Sequence, residues 1–270
     1  MSKDKRDIVF GDPWGKLRRY TSARIALGRA GTSLPTGPHL EFQLAHARAR
    51  DAVHHALNVP ALKTALEAGG HETIVLHSSA ESRPVYLQRP DKGRRLDAGS
   101  RERLEALPKP AEPYDVVFVI GDGLSAFAIE ENATKFLNVM LTQLAATGWR
   151  VAPLCLVEEA RVAIGDEIGE ILGAKMVVIL IGERPGLSSP DSMGIYLTFS
   201  PKVGLTDESR NCISNVRPEG LSYDHAAHKL TYLMTEARAR GLSGVNLKDE
   251  AEALLQACPE SADNFLIDKG

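Results

Sequence analysis

Cysteine is scarce in this chain: three residues in 270, Cys155, Cys212 and Cys258, an odd number set far apart. That excludes a disulfide framework and a clustered thiolate metal site. Aromatic residues make up only 6% of the chain, too few to furnish a stacking platform for single-stranded nucleic acid. No apolar run approaches the roughly 18 residues that a membrane span requires. The first residues, Met1-Ser2-Lys3-Asp4-Lys5-Arg6-Asp7, are polar and lack the apolar core of a signal peptide. These shortages predict a reduced, cytoplasmic protein with no membrane partner. A surplus of either charge is also missing overall, yet the balance of −3 hides an asymmetry. Residues 1–110 hold 19 Lys and Arg against 12 Asp and Glu, and the remainder holds 13 against 23. The arginines are scattered among alanines rather than run together, so the basic front half suits an acidic partner subunit better than nucleic acid.

Two segments are conspicuous. Val116-Val117-Phe118-Val119-Ile120 runs into Gly121-Asp122-Gly123-Leu124-Ser125, and Val177-Val178-Ile179-Leu180-Ile181 runs into Gly182-Glu183-Arg184-Pro185-Gly186. Strands without polar alternation are buried on both faces, as in parallel sheets covered by helices. Ligands bind such sheets beyond the carboxyl ends of the strands, which locates a candidate site before its chemistry is known.

Upstream, Asp12-Pro13 predicts a helix start with Trp14, Leu17 and Ile25 turned inward and a stop near Gly31. Residues 31–38 read as a proline-bearing linker. A second helix carries Phe42, Ala45, Ala49, Ala52 and Ala56 at spacings of three and four. Such small residues permit close approach either to this chain's own domain or to a partner. A third helix over 61–68 ends at Gly69-Gly70. Strands are then predicted at 73–76, 85–87, 116–120, 151–157, 176–181 and 195–199. Helices fall at 101–107, along a stretch whose second part starts near Asn132 (Phe136, Met140, Leu144), from Gly165-Asp166 to Gly173, and from Ser222 to Gly241. Alternation over 73–241 predicts an α/β fold, a Rossmann-like doubly wound, mostly parallel sheet in residues 71–270, preceded by a small helical N-terminal domain in residues 1–70. The pattern leaves 245–270 open, as a subunit contact or a frayed end.

Neither glycine turn completes a nucleotide fingerprint, because Gly121-Asp122-Gly123 lacks the third glycine. Asp122 reads either as an exposed ligand contact or as a helix N-cap. Glu183, at the end of a buried strand, needs a hydrogen-bonding or ionic partner; Arg184 and Arg161 are the candidate counter-ions, and a ligand contact is the other reading. Cys212 sits in the polar run Ser209-Arg210-Asn211-Cys212-Ile213-Ser214-Asn215. It is a nucleophile only if His225 or His228 reaches it; otherwise it is a structural cysteine or a small residue lining a ligand surface. His54-His55 and His225/His228 lack a third ligand at metal-site spacing.

Several segments together resemble the light chain of ethanolamine ammonia-lyase. They are Arg24 with Gly28-Arg29-Ala30-Gly31, Arg89-Pro90-Asp91 with Gly93-Arg94-Arg95-Leu96, Asp122-Gly123-Leu124-Ser125, Arg161-Val162, Asp166 through Lys175, Gly182 through Leu187, and Cys212-Ile213-Ser214-Asn215. The resemblance spans nearly the whole chain. It implies the small subunit of an adenosylcobalamin-dependent lyase that converts ethanolamine to acetaldehyde and ammonia. The substrate barrel then belongs to a separate large chain, and cobalamin lies between the two, with residues 1–70 docking the subunits and 71–270 binding cobalamin. Matched position by position, the family's cobalamin contacts fall on Val162, Glu183 and Cys212, with no catalytic residue on this chain. No Asp-x-His-x-x-Gly sequence occurs, so the cofactor is expected base-on, keeping its own dimethylbenzimidazole on cobalt. A higher hetero-oligomer is implied, in the cytoplasm or inside a bacterial microcompartment. The long amino-terminal extension of some relatives has no counterpart ahead of the matching region, which leaves encapsulation to the large chain. The alternatives are a nucleotide- or flavin-binding α/β module of another complex, and a cysteine hydrolase built on Cys212.

Overall fold

The computed structural model describes residues 8–251; Cys258 and most of the 245–270 tail lie outside the described residues. Pro13–Tyr20 is a 3-10 helix whose Asp12 carboxylate accepts from the Trp14 N–H at 2.8 Å. Trp14, Leu17 and Ile25 are exposed rather than inward, because this short element does not turn a continuous stripe toward the body. Helix α1 (Thr36–His54) buries Ala49 and Ala52 but leaves Phe42 exposed. Helix α2 (Val59–Ala68) starts on an Asn58 cap and lays Leu62 and Leu66 into the main core.

Strand β1 (Thr73–His77) follows. Residues 85–87, expected as a strand, belong to helix α3 (Arg83–Gln88). Pro84 in its first turn is preorganised for a helix, and Tyr86 is fully buried from it. Helix α4 (Ala98–Glu105) is capped by Asp97. Strand β2 (Val116–Gly121) leads to α5 (Ala126–Ala146), one continuous helix and not two parts, capped by Ser125. Strand β3 (Leu154–Glu158), helix α6 (Ile164–Leu172) and strand β4 (Met176–Gly182) complete the central units. Then come β5 (Met193–Phe199), β6 (Arg210–Val216) and α7 (Tyr223–Arg240), with Ser222 at one end of α7 and left-handed Gly241 at the other.

The fold is α/β, with six strands in the order β1-β3-β2-β4-β5-β6. The sheet is mixed, which corrects the expectation of a mostly parallel, doubly wound Rossmann-like sheet. Strands β1, β3, β2 and β4 are parallel, whereas β5 runs antiparallel to β4, and β6 antiparallel to β5. The reason is the connection: only residues 183–192 join β4 to β5, and a parallel return needs a crossover of a dozen residues or more.

Alternate side chains divide the core. Val116, Phe118 and Ile120 face the layer of α2, α5 and α7, where Phe136, Met140, Leu144, Leu230 and Leu233 are buried. Val117, Val119, Val177, Ile179 and Ile181 face the layer of α4 and α6. Two consecutive carboxylates moor α6 at its first turn. Asp166 makes a bidentate pair with Arg210 at 2.6 and 2.8 Å. Glu167 meets Arg95 at 3.0 Å and also Arg101. Both acids are about 1% exposed, and burial at that depth is tolerable only with such partners.

Candidate functional site

The two glycine turns meet at the carboxyl ends of β2 and β4. The Leu124 N–H donates to the Gly182 carbonyl at 2.9 Å. Gly123 takes φ +59°, and a Cβ added there would lie 2.3 Å from that same carbonyl oxygen. One added at Gly182 would lie 2.0 Å from the Ser125 carbonyl oxygen. These glycines therefore permit the turns to touch each other, instead of opening a cradle for phosphate. That removes the feature on which a nucleotide-binding reading depended.

Past this junction, Glu183 is half-buried. Its backbone N–H donates to the Ser192 carbonyl at 2.9 Å. Its carboxylate accepts from the Ser192 hydroxyl and, at 3.3 Å, from the Asn215 N–H, both through Oε2. Neither Arg184 nor Arg161 is its ion-pair partner among the described residues. Gly194 on β5 makes room for it, since a Cβ there would meet Glu183 Oε1 at 3.0 Å.

Cys212 and its polar neighbours lie on strand β6, which the sequence pattern did not mark as a strand. Strand β6 is an edge strand that buries Arg210, Ile213 and Val216 and exposes the polar residues between. Cys212 pairs with Tyr196 of β5, which pairs with Ile179 of β4. Tyr196 reaches toward both Cys212 and Glu183, and each adds to the elevation of its phenol pKa after the larger effect of burial. Val162 is half-buried in the turn between β3 and α6 and packs on the same side of the sheet as Tyr196. The structure thus brings Glu183, Tyr196 and Cys212 together, with Val162 on the same layer beside α6.

The exposed Cys212 thiol has its pKa raised, by desolvation first and then by the Glu183 charge, against a hydrogen bond from Tyr196. A nucleophilic cysteine needs the opposite shift. His225 and His228 stand on α7, whose apolar residues pack on the other face of the sheet. Among the described residues, no group of three or more His, Cys, Asp or Glu could hold a metal ion. No helix there is long and apolar enough to cross a membrane.

Asp122 is neither an exposed contact nor an N-cap, since Ser125 caps α5. It is buried, accepting from the Glu159 and Ala160 N–H groups at 3.0 and 2.9 Å and from Arg83 at 3.3 Å. Arg83 also binds Glu159 at 3.0 Å and the Val53 carbonyl at 2.8 Å, which ties α1 to the strand ends. Tyr86 is stacked between the guanidinium groups of Arg83 and Arg161, at 4.7 and 4.3 Å from its ring centre. Nothing in the linear spacing signals this cluster, because its members come from four separate segments.

Desolvation first, and Glu159 second, push the Asp122 carboxyl up to about 7, against its N–H donors and Arg83. An unfolded aspartate titrates near ~3.9, so between roughly pH 4 and 7 the native state holds this proton while the unfolded state has lost it. The contribution of Asp122 therefore makes stability fall as pH rises through that window. Urea midpoints at pH 5 and 8 should show this decline, and Asp122→Asn should flatten it. An equal decline in both proteins would contradict the assignment.

Fold and site together describe an α/β protein with Glu183, Tyr196 and Cys212 gathered on one side of its sheet and no poised nucleophile among the described residues. Residues 11–248 match the family of ethanolamine ammonia-lyase light chains. The chain is 58% identical over 267 residues to the ethanolamine ammonia-lyase small subunit of Azotobacter vinelandii, covering 98% of this chain and 99% of that one. It is 56% identical over 274 residues to the small subunit of Pseudomonas putida (99% and 100% covered), and 57% identical over 272 residues to that of Ralstonia nicotianae (98% and 99% covered). The chain belongs to the ethanolamine ammonia-lyase light chain family.

Proposed function

We propose that this chain is the cofactor-holding small subunit of an adenosylcobalamin-dependent ethanolamine ammonia-lyase, which turns ethanolamine into acetaldehyde and ammonia in complex with a large chain. Adenosylcobalamin, when bound, supplies the radical that takes hydrogen from the substrate. The residues of this chain bind and orient. Glu183 has Oε2 engaged by Ser192 and Asn215, while Oε1 faces Gly194 and is free to accept an N–H from a corrin amide. Val162 offers apolar contact, and Cys212 a small polarizable surface. The donor set fits a corrinoid edge, which carries many amides on an apolar ring. The missing Asp-x-His-x-x-Gly sequence supports base-on binding.

One observation carries the reading: Val162, Glu183 and Cys212 come from three separate segments yet lie on the α6 side of one sheet, with Tyr196 beside Glu183 and Cys212. The exposed Phe10, Trp14, Leu17, Tyr20, Leu40 and Leu44 support residues 1–70 as the surface that docks the large chain in a higher hetero-oligomer. The enzyme is assigned to the cytoplasm, free or inside a bacterial microcompartment. Mixing this chain with a matching large chain, adenosylcobalamin and ethanolamine should release acetaldehyde only when every component is present. Release by one chain alone, or none from the full mixture, would overturn the proposal.

A further inference from the structure

The turn that carries Val162 is gripped from three sides. Asp122, just past β2, accepts the Glu159 and Ala160 N–H groups on separate oxygens, Oδ2 at 3.0 Å and Oδ1 at 2.9 Å. Tyr86 of α3 donates its phenol hydroxyl to the Ala160 carbonyl at 3.0 Å. The next N–H, that of Arg161, donates to the Gly93 carbonyl at 2.7 Å. Val162 stands between this brace and the first turn of α6. The packing is equally close. A Cβ added at Gly121 would lie 2.6 Å from that of Ala160, and one at Gly93 would lie 2.8 Å from Arg161 Cγ and 3.0 Å from the Tyr86 ring. Both glycines let the turn seat against its supports.

So small a turn carries several unfavourable features at once. Glu159 is held at φ +54°, a left-handed conformation that disfavours a non-glycine residue. Asp122 is buried, and its ionisation is opposed by that burial and by Glu159. Arg83 Nη2 and Arg161 Nε are buried without a hydrogen-bond partner, while both guanidinium groups stack on the Tyr86 ring. Fold stability alone would be served as well by apolar packing at these positions. Strain and buried polarity of this kind persist where the surrounding structure must hold one geometry, and a contact residue on a turn is precise only when the backbone beneath it is fixed.

We propose that Asp122 and Tyr86 are positioning residues for the contact made by Val162: acting through the 159–161 backbone, they hold the turn in one conformation, so that Val162 meets the corrinoid without an ordering cost at binding. This rests on the proposed function and extends it to two side chains that are themselves buried.

The test uses the assembled two-chain complex, with amide hydrogen exchange at residues 159–161 read before corrinoid is added and cyanocobalamin binding read by equilibrium dialysis. Tyr86→Phe keeps the ring between the guanidinium groups and removes only the hydroxyl. Exchange at the three amides should quicken roughly tenfold, and cyanocobalamin should bind roughly three- to tenfold more weakly. Asp122→Asn keeps one carbonyl acceptor for two N–H donors and Asp122→Ala keeps none, so both losses should grow in that order. Leu233→Val trims the core on α7, at the opposite face of the sheet. It should lower the urea midpoint yet leave the local exchange and the corrinoid binding unchanged, which separates positioning from general destabilisation. Faster exchange with unchanged cyanocobalamin binding, unchanged exchange in Tyr86→Phe, or equal weakening by Leu233→Val would overturn the inference and leave the small-subunit reading intact. A wild-type complex that binds no cyanocobalamin would overturn that reading, and the inference with it.

Discussion

Asp166→Ala should cost about 3–5 kcal/mol of stability, the usual penalty for stranding one partner of a buried ion pair. Arg210 would keep its contacts to Thr198 Oγ1 at 3.2 Å and the Leu205 carbonyl at 3.1 Å, but its buried charge would be left with only the solvent-exposed Asp207 carboxylate, 3.5 Å from Nε. The pair also joins α6 to the edge strand β6, so the damage should centre on the layer that carries Val162 and Cys212. Thermal unfolding should shift down by about 6–20 °C, at roughly 2–4 °C per kcal/mol for larger domains. Replacing both partners by apolar residues of similar size, Asp166→Leu with Arg210→Met, should recover most of that loss, because no uncompensated charge is left. If the single substitution is as stable as wild type, the pair does not hold α6 in place.

Glu183→Ala should weaken cobalamin retention by the assembled complex about 10–100-fold, which is the worth of a hydrogen bond to a charged acceptor. Its structural cost should be modest, about 1–3 kcal/mol. The carboxylate is half-buried and has no ion-pair partner among the described residues, so removing it strands the buried Ser192 hydroxyl and the exposed Asn215 N–H. Equilibrium dialysis with cyanocobalamin and a urea titration of the same sample separate the two effects. Lost stability with unchanged retention would make Glu183 a clamp for the 183–192 loop and nothing more.

Much of this was legible in the chain itself. The unbroken apolar runs at 116–120 and 177–181 mark fully buried strands because both of their faces are covered. Ser222, Gly173 and Gly241 mark helix ends because their chemistry is local. What could not be read depends on contacts far apart in sequence. The antiparallel turn of β5 follows from a short helix-free connection. Strand β6 was hidden because an edge strand tolerates polar residues on its open side. Residues 85–87 have strand-like composition, yet Pro84 and the burial of Tyr86 make them helical. Trp14 and Leu17 imply a core that the described residues do not provide. At the site, the need of Glu183 for hydrogen-bonding partners was readable from its position after a buried strand. Tyr196, between it and Cys212, carried no signal because a lone tyrosine in a strand is unremarkable until its neighbours are known. Asp122 was misjudged for the same reason: the groups that bury it, Arg83 and the 159–160 backbone, are 37–39 residues away.

Alkylation of Cys212 offers the most direct check on whether a corrinoid covers this part of the sheet. Of the cysteines described, Cys155 is buried and Cys212 exposed, so peptide mapping after iodoacetamide treatment at alkaline pH reports on one thiol. In the two-chain assembly, saturating cyanocobalamin should slow its modification sharply relative to the ligand-free assembly. An identical rate with and without the corrinoid, under conditions where dialysis shows it bound, would mean that it sits elsewhere.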